Sequence, residues 1–275
     1  MTDPLCAAAI QMVSSSDIGA NLHSASELLD QAADLGARLA VLPENWPLMG
    51  HTDNDKLLCQ EQFGDGPLQE FMSRRARELG LWLVGGSIPL ASGDPEHVYN
   101  SCLVYDPEGK CVSRYDKIHL FDVNVGGDGS EIYRESDSIL PGSDISVVTT
   151  PFGNIGISIC YDLRFPELYR RMLPRDISII TVPSAFTRTT GKQHWEILLR
   201  SRAVENLCFV IAAGQGGQNN EQRATWGHSM IIGPWGDILC CVETGPGVAC
   251  ADLELEQLQT IRTGFPALDH RKLLD

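Results

Sequence analysis

The stretch that most constrains this chain runs from Asn154 to Glu167, Asn-Ile-Gly-Ile-Ser-Ile-Cys-Tyr-Asp-Leu-Arg-Phe-Pro-Glu. Its first half is apolar and rich in isoleucine, as a buried strand requires, and its second half turns into a helix with Pro166 in the first turn. Cys160 falls at the junction. A side chain at such a turn stands up from a sheet edge beside first-turn N–H groups, which favour a thiolate and a developing oxyanion. A free cysteine in an apolar run is otherwise a small buried hydrophobe. The surrounding chain decides between the two.

Strands and helices alternate along it. Leu5 to Met12 reads as a short buried strand, and Asp17 as the cap of a helix whose Ile18, Leu22, Ala25, Leu28, Leu29 and Ala32 recur at helical spacing until Gly36. The strand from Arg38 to Leu42 ends in Pro43-Glu44-Asn45, so a carboxylate lands just past a strand's carboxyl end, where open α/β sheets bind ligands. A helix over Pro67 to Leu79, closed by Gly80, leads to an apolar strand from Leu81 to Ile88. Tyr99 to Tyr105 and Cys111 to Tyr115 flank Asp106-Pro107-Glu108-Gly109 as a hairpin, with Lys117 just beyond it. Phe121 to Pro141, with Gly126, Gly127 and Gly129, is polar and aperiodic, the pattern of a long functional or mobile loop. A hairpin turning at Thr150 to Gly153 leads into the Cys160 strand, and Ile177 to Val182 resumes the sheet. The helix expected from Lys192 to Leu207 places Trp195, Leu198, Leu199 and Arg202 on one face and pairs Glu196 with Arg200. Leu207 to Ala213, a hairpin of His228 to Ile232 with Asp237 to Val242, Val248 to Leu253 and a helix to Thr263 complete the pattern. This alternation predicts one layered α/β domain over residues 1–275, with 264–275 as a tail docking at a subunit interface.

Composition narrows the partners. Thirty-six acidic against 21 basic residues give a net charge of -15, which repels nucleic acid and anionic membranes, and no Lys/Arg run offsets it. Nine cysteines without a Cys-x-x-Cys pair or zinc spacing point to a reducing compartment, the cytoplasm, and away from a structural metal. No basic leader precedes Leu5, and no apolar run reaches membrane-spanning length. No cofactor is expected.

A cysteine that cleaves an unactivated carbon-nitrogen bond needs a base for its proton, a cation or donors for the oxyanion, and an acid for the departing amine. Glu44, Lys117 and Cys160 supply these three chemistries. Spacing alone leaves open a papain-like histidine, which need not be adjacent in sequence.

Leu42-Pro43-Glu44-Asn45, Tyr115-Asp116-Lys117-Ile118-His119-Leu120-Phe121-Asp122 and Ile159 to Glu167 resemble, in order, the three signature segments of the nitrilase (carbon-nitrogen hydrolase) superfamily. The similarity continues through Pro183-Ser184-Ala185-Phe186, His194-Trp195-Glu196, Arg202 to Asn206 and Gly227-His228-Ser229, covering nearly the whole chain. The resemblance implies a four-layer α-β-β-α sandwich that pairs with a second subunit as a homodimer or higher oligomer. It makes Cys160 the nucleophile of a thioester acyl-enzyme, Glu44 the general base and later acid, Lys117 the oxyanion cation helped by the Tyr161 N–H, and Glu135 a second glutamate positioning substrate and lysine. Physically, a lysine beside a thiol lowers the thiol's pKa, and two nearby carboxylates raise one of theirs, suiting Glu44 to hold and return a proton.

Within the superfamily the residues after Cys160 differ from the Trp-Glu of true nitrilases, and the chain is most similar to the deaminated-glutathione amidase branch. That similarity implies a small amide substrate carrying a carboxylate, hydrolysed to 2-oxoglutarate and cysteinylglycine, with Arg164 and Thr190 at the keto-acid end and Phe186 in the pocket wall. An ω-amidase acting on 2-oxoglutaramate, an amidase of N-carbamoyl compounds and a non-catalytic interaction protein on the same fold are the alternatives. Arg188, Lys192-Gln193 and Asn219-Asn220 depart from the branch pattern and bear on specificity if they line the pocket mouth.

Overall fold

In a computed structural model describing residues 4–52, 54–125 and 131–273, two sheets form the frame. The first has seven strands, in the order Gly247–Leu253, Leu5–Gln11, Leu39–Val41, Trp82–Val84, Val98–Tyr105 and Ile88–Ala91, with Cys111–Asp116 also paired to Val98–Tyr105. The second has six, in the order Ile238–Val242, Ser229–Ile232, Phe209–Ala212, Ile177–Thr181, Gly153–Ile157 and Ser146–Thr150. The strand Leu5–Gln11 runs parallel to Leu39–Val41 and antiparallel to Gly247–Leu253.

Near-continuous apolar strands are the mark of sheets covered on both faces. In the first sheet Ala7 and Ala9 face the second sheet's Ile155, Ile157 and Ile179 in one core, while Ala8 and Ile10 join the helices Ile18–Asp34 and Pro67–Leu79 in another. On the far side, Leu168 and Tyr169 of the helix Pro166–Met172 and Trp195, Leu199 and Ala203 of the helix Arg188–Asn206 cover the second sheet. The order is helix, sheet, sheet, helix, the α-β-β-α sandwich that the signature segments imply.

Local signals account for most element ends. Asp17 caps its helix by accepting from Ala20 N at 3.0 Å, and Gly80 closes the next with a left-handed φ of 63°. Three expectations are corrected. The apolar run Leu81 to Ile88 is two strands, broken at Gly85-Gly86. There the chain takes φ 62° and passes the turn carrying Glu44 so closely that a Cβ on Gly86 would lie 2.1 Å from Pro43 O. Phe121 to Pro141 holds a short hairpin, Asp122–Asn124 with Ile132–Arg134, and a 3-10 turn at Glu135–Asp137; Gly126, Gly127 and Gly129 lie outside the described residues. The long helix begins at Arg188, a turn earlier than its apolar face indicates, because Thr187 caps it by accepting from Thr190 N. Among the described residues, no helix is long and apolar enough to cross a membrane.

Candidate active site

Cys160 follows the strand Gly153–Ile157, Glu44 follows Leu39–Val41 and Lys117 follows Cys111–Asp116, so both sheets deliver side chains to one pocket. Cys160 opens a 3-10 turn with φ 50°, a left-handed conformation rare for a residue with a Cβ. Its own N–H donates to Pro183 O at 2.8 Å. The Tyr161 N–H opens the same turn, where first-turn N–H groups have no acceptor within the turn.

Asp162 holds that turn from behind. Fully buried, its carboxylate accepts from Tyr115 Oη at 2.6 Å, Ile159 N at 2.9 Å and His119 N at 3.1 Å, and lies 2.7 Å from His119 Nδ1. The His119 ring stacks on Phe165 at 3.8 Å. Four polar contacts and one ring stack thus fix the backbone beside the nucleophile from behind the turn, an arrangement that preserves strain at a functional site.

Lys117 is 1% exposed and bridges two carboxylates. Its Nζ donates to Glu44 Oε1 at 2.9 Å and to Glu135 Oε1 and Oε2 at 2.9 and 2.8 Å. Asn100 Nδ2 donates to Glu44 Oε1 at 3.0 Å, Ala185 N to Glu44 Oε2 at 2.9 Å, and Phe121 N to Glu135 Oε2 at 2.7 Å. Buried charges survive only when paired and hydrogen-bonded, and each of these is.

The electrostatics follow from that pairing. Burial favours neutral Lys117, but Glu135 and Glu44 outweigh it and hold the ammonium well above its usual range. Burial works against the Glu135 carboxylate too, and Lys117, helped by Lys56, overcomes it and keeps the group low. Cys160 departs from the sequence expectation. Burial, then the Glu44 charge, push the thiol well above its ordinary value, and Lys117 and the Ala185 N–H only partly oppose them. Two carboxylates already pair with the lysine, so its charge offsets burial and the Glu44 charge only in part. The resting nucleophile is a thiol beside a carboxylate.

Glu44, Lys117, Glu135, Cys160, Tyr161, Phe186 and Thr190 all line this pocket. Arg164 does not. Its guanidinium lies 5.4 Å from the Phe186 ring centre, 5.7 Å from that of Tyr161 and 3.2 Å from His194 Nδ1. Arg188 and Lys192 are exposed in other grooves, and Asn219 is a buried loop clamp that donates to Ser14 O at 3.0 Å and accepts from Thr225 Oγ1. Lys56 of the one-turn helix Asp55–Leu58, Tyr133 and Arg134 of the strand Ile132–Arg134, Thr187 and Arg223 also line the pocket. Asn100 was detectable in principle, as a polar residue inside the apolar strand Val98–Tyr105. Among the described residues, no group of His, Cys, Asp or Glu is arranged to hold a metal ion.

This geometry suits thiol attack on a carbonyl with proton transfer through a carboxylate, and comparison with known proteins agrees. A sequence profile of the carbon-nitrogen hydrolase family matches residues 6–263, and the chain belongs to that family. It is 41% identical over 271 residues to a deaminated glutathione amidase of Synechocystis sp., covering 98% of each chain. The NitFhit protein of C. elegans superposes with a TM-score of 0.88 at 34% identity, over 98% of this chain and 66% of that longer one. Saccharomyces cerevisiae Nit3, a member of branch 10 of the nitrilase superfamily, gives a TM-score of 0.87 at 28% identity over 99% and 98% of the two chains.

Proposed function

We propose that this protein is a cysteine-dependent amidase that hydrolyses deaminated glutathione to 2-oxoglutarate and cysteinylglycine. The observation that carries the reading is a thiol sharing a buried pocket with a lysine bridged to two carboxylates. Relatives named deaminated glutathione amidase support the substrate.

In the proposed cycle Cys160 Sγ attacks the amide carbonyl as its proton passes to Glu44. Because the thiol rests protonated, the carboxylate has to act during attack rather than before it. Negative charge developing on the carbonyl oxygen is met by Lys117 Nζ and the Tyr161 N–H. Collapse breaks the carbon-nitrogen bond, Glu44 returns the proton to the departing amine, and a thioester remains on Cys160. Water then attacks the thioester, giving its proton to Glu44. Collapse of this second adduct frees the carboxylic acid, and the proton on Glu44 restores the thiol. Glu135 positions Lys117, and Phe186 and Thr190 hold the acyl half.

The same reading places the enzyme as one domain in a reducing, cytoplasmic compartment, consistent with nine free cysteines, and its net charge of -15 argues against nucleic-acid partners. Exposed Ile197, Val204, Trp235 and Phe265 support a homodimer, with the tail beyond Gly264 at the interface. The test is mass-spectrometric product analysis with deaminated glutathione and 2-oxoglutaramate at equal concentration. Rapid cysteinylglycine release with slow ammonia release is expected; preference for 2-oxoglutaramate would move the protein to the ω-amidases.

A further inference from the structure

We infer that Arg223 anchors the carboxylate on the amine half of the substrate, at the end farthest from the bond that is cut. The inference rests on the substrate proposed above, in which the scissile amide lies between two carboxylate-bearing arms.

The charges lining the pocket are Glu44 and Glu135 against Lys56, Lys117, Arg134 and Arg223. In the resting site the Lys117 ammonium pairs with both glutamates. The surplus positive charge therefore sits on the other three cations, in a protein whose net charge is -15. An anionic substrate needs such a local reversal of field.

Among the three, Arg223 is the one built to receive a ligand. Its Nε is buried with no hydrogen-bond partner, and among the described residues its guanidinium makes no ion pair. A buried donor left unmade is costly, and a carboxylate is the acceptor whose planar geometry matches the guanidinium fork. Lys56 contributes to the field at Glu135, and Arg134 is exposed. Arg164 stands outside the pocket, against Tyr161, Phe186 and His194.

The backbone under Arg223 is clamped. Arg223 N donates to Asn220 Oδ1 at 2.8 Å, its carbonyl accepts from Asn219 N at 3.0 Å, and Asn220 Nδ2 ties the loop to Gly50 O at 3.0 Å. The base of the side chain is thus fixed before substrate arrives, which lowers the entropy of binding. With the amide held at Cys160 and the acyl half against Phe186 and Thr190, the amine half has to extend toward the mouth through which it leaves. Its terminal carboxylate then meets the cation that lacks a partner.

The test compares deaminated glutathione with an analogue whose terminal carboxylate is a neutral carboxamide, on wild type, Arg223→Gln and Arg223→Lys. Wild type should prefer the carboxylate about tenfold to a hundredfold in kcat/KM, mainly through KM, the range for hydrogen bonds to a charged group. Arg223→Gln should reduce that preference to about threefold or less, while Arg223→Lys keeps part of it as a point charge. A merely structural arginine would lower activity on both compounds and leave their ratio unchanged, which overturns the inference, as does a wild type that cleaves both equally. If wild type cleaves neither, the proposed substrate fails first and the inference falls with it.

Discussion

Both carboxylate oxygens of Glu135 accept from Lys117 Nζ, at 2.9 and 2.8 Å, so the second glutamate is a direct partner of the lysine. This contact explains why Lys117 only partly offsets burial and the Glu44 charge at the Cys160 thiol: two carboxylates already pair with its ammonium. Glu135→Gln should release some of that charge and move the alkylation midpoint of Cys160 to lower pH than in wild type. Iodoacetamide labelling against pH, read on the Cys160 peptide, checks this. An unchanged or higher midpoint would mean that Glu135 does not hold back the lysine's effect on the thiol.

The same contact gives a pH signature to stability. Glu135 is held below its ordinary value near 4.5, so it contributes stability that is fully present above that pH and lost as pH falls through its lowered native value. At pH 7, Glu135→Gln should cost about 3 kcal/mol, the low end for breaking a buried pair because Glu44 still partners Lys117. The gap between wild type and variant should narrow below pH 4.5. Urea denaturation at several pH values measures it, and a gap independent of pH would contradict the pairing.

Gly86 links the fold to the site. At φ 62°, with Pro43 O 2.1 Å from where its Cβ would stand, Gly86→Ala forces apart the Gly85-Gly86 break and the Glu44 turn. The expected cost is about 2 kcal/mol or more, since left-handed strain and a backbone clash add. A loss of activity larger than the loss of folded protein is also expected, because the displaced backbone carries Glu44. Thermal melts together with active-site titration separate the two, and a variant with wild-type stability would show that this approach is looser than described.

Much of the fold was legible because its determinants are local. The Asp17 cap, the Gly80 stop, the hairpin turns and the Cys160 strand-to-turn junction are each encoded within a few residues. What escaped was set by distant contact. Gly85-Gly86 breaks an apolar run because Pro43 passes beside it, and Thr187 starts a helix whose first turn has no apolar stripe. The ordered motifs identified Glu44, Lys117, Glu135 and Cys160, and the structure gathers all four in one pocket. Charge balance was not legible, because whether a lysine activates a thiol depends on what else it touches. Lys56 reaches the pocket on a one-turn helix too short for a periodic signal and Arg223 on a loop, and Arg164 does not line it although Tyr161 and Phe186 beside it do.

The most direct test of the central claim is intact-protein and peptide mass spectrometry of enzyme quenched in acid during turnover of deaminated glutathione. A 2-oxoglutaryl adduct on the Cys160 peptide is expected in wild type. Cys160→Ala should show no adduct and turnover below about a hundredth of wild type, the scale of loss when a nucleophile is removed. Undiminished turnover by Cys160→Ala, or an adduct on any other residue, would contradict the account.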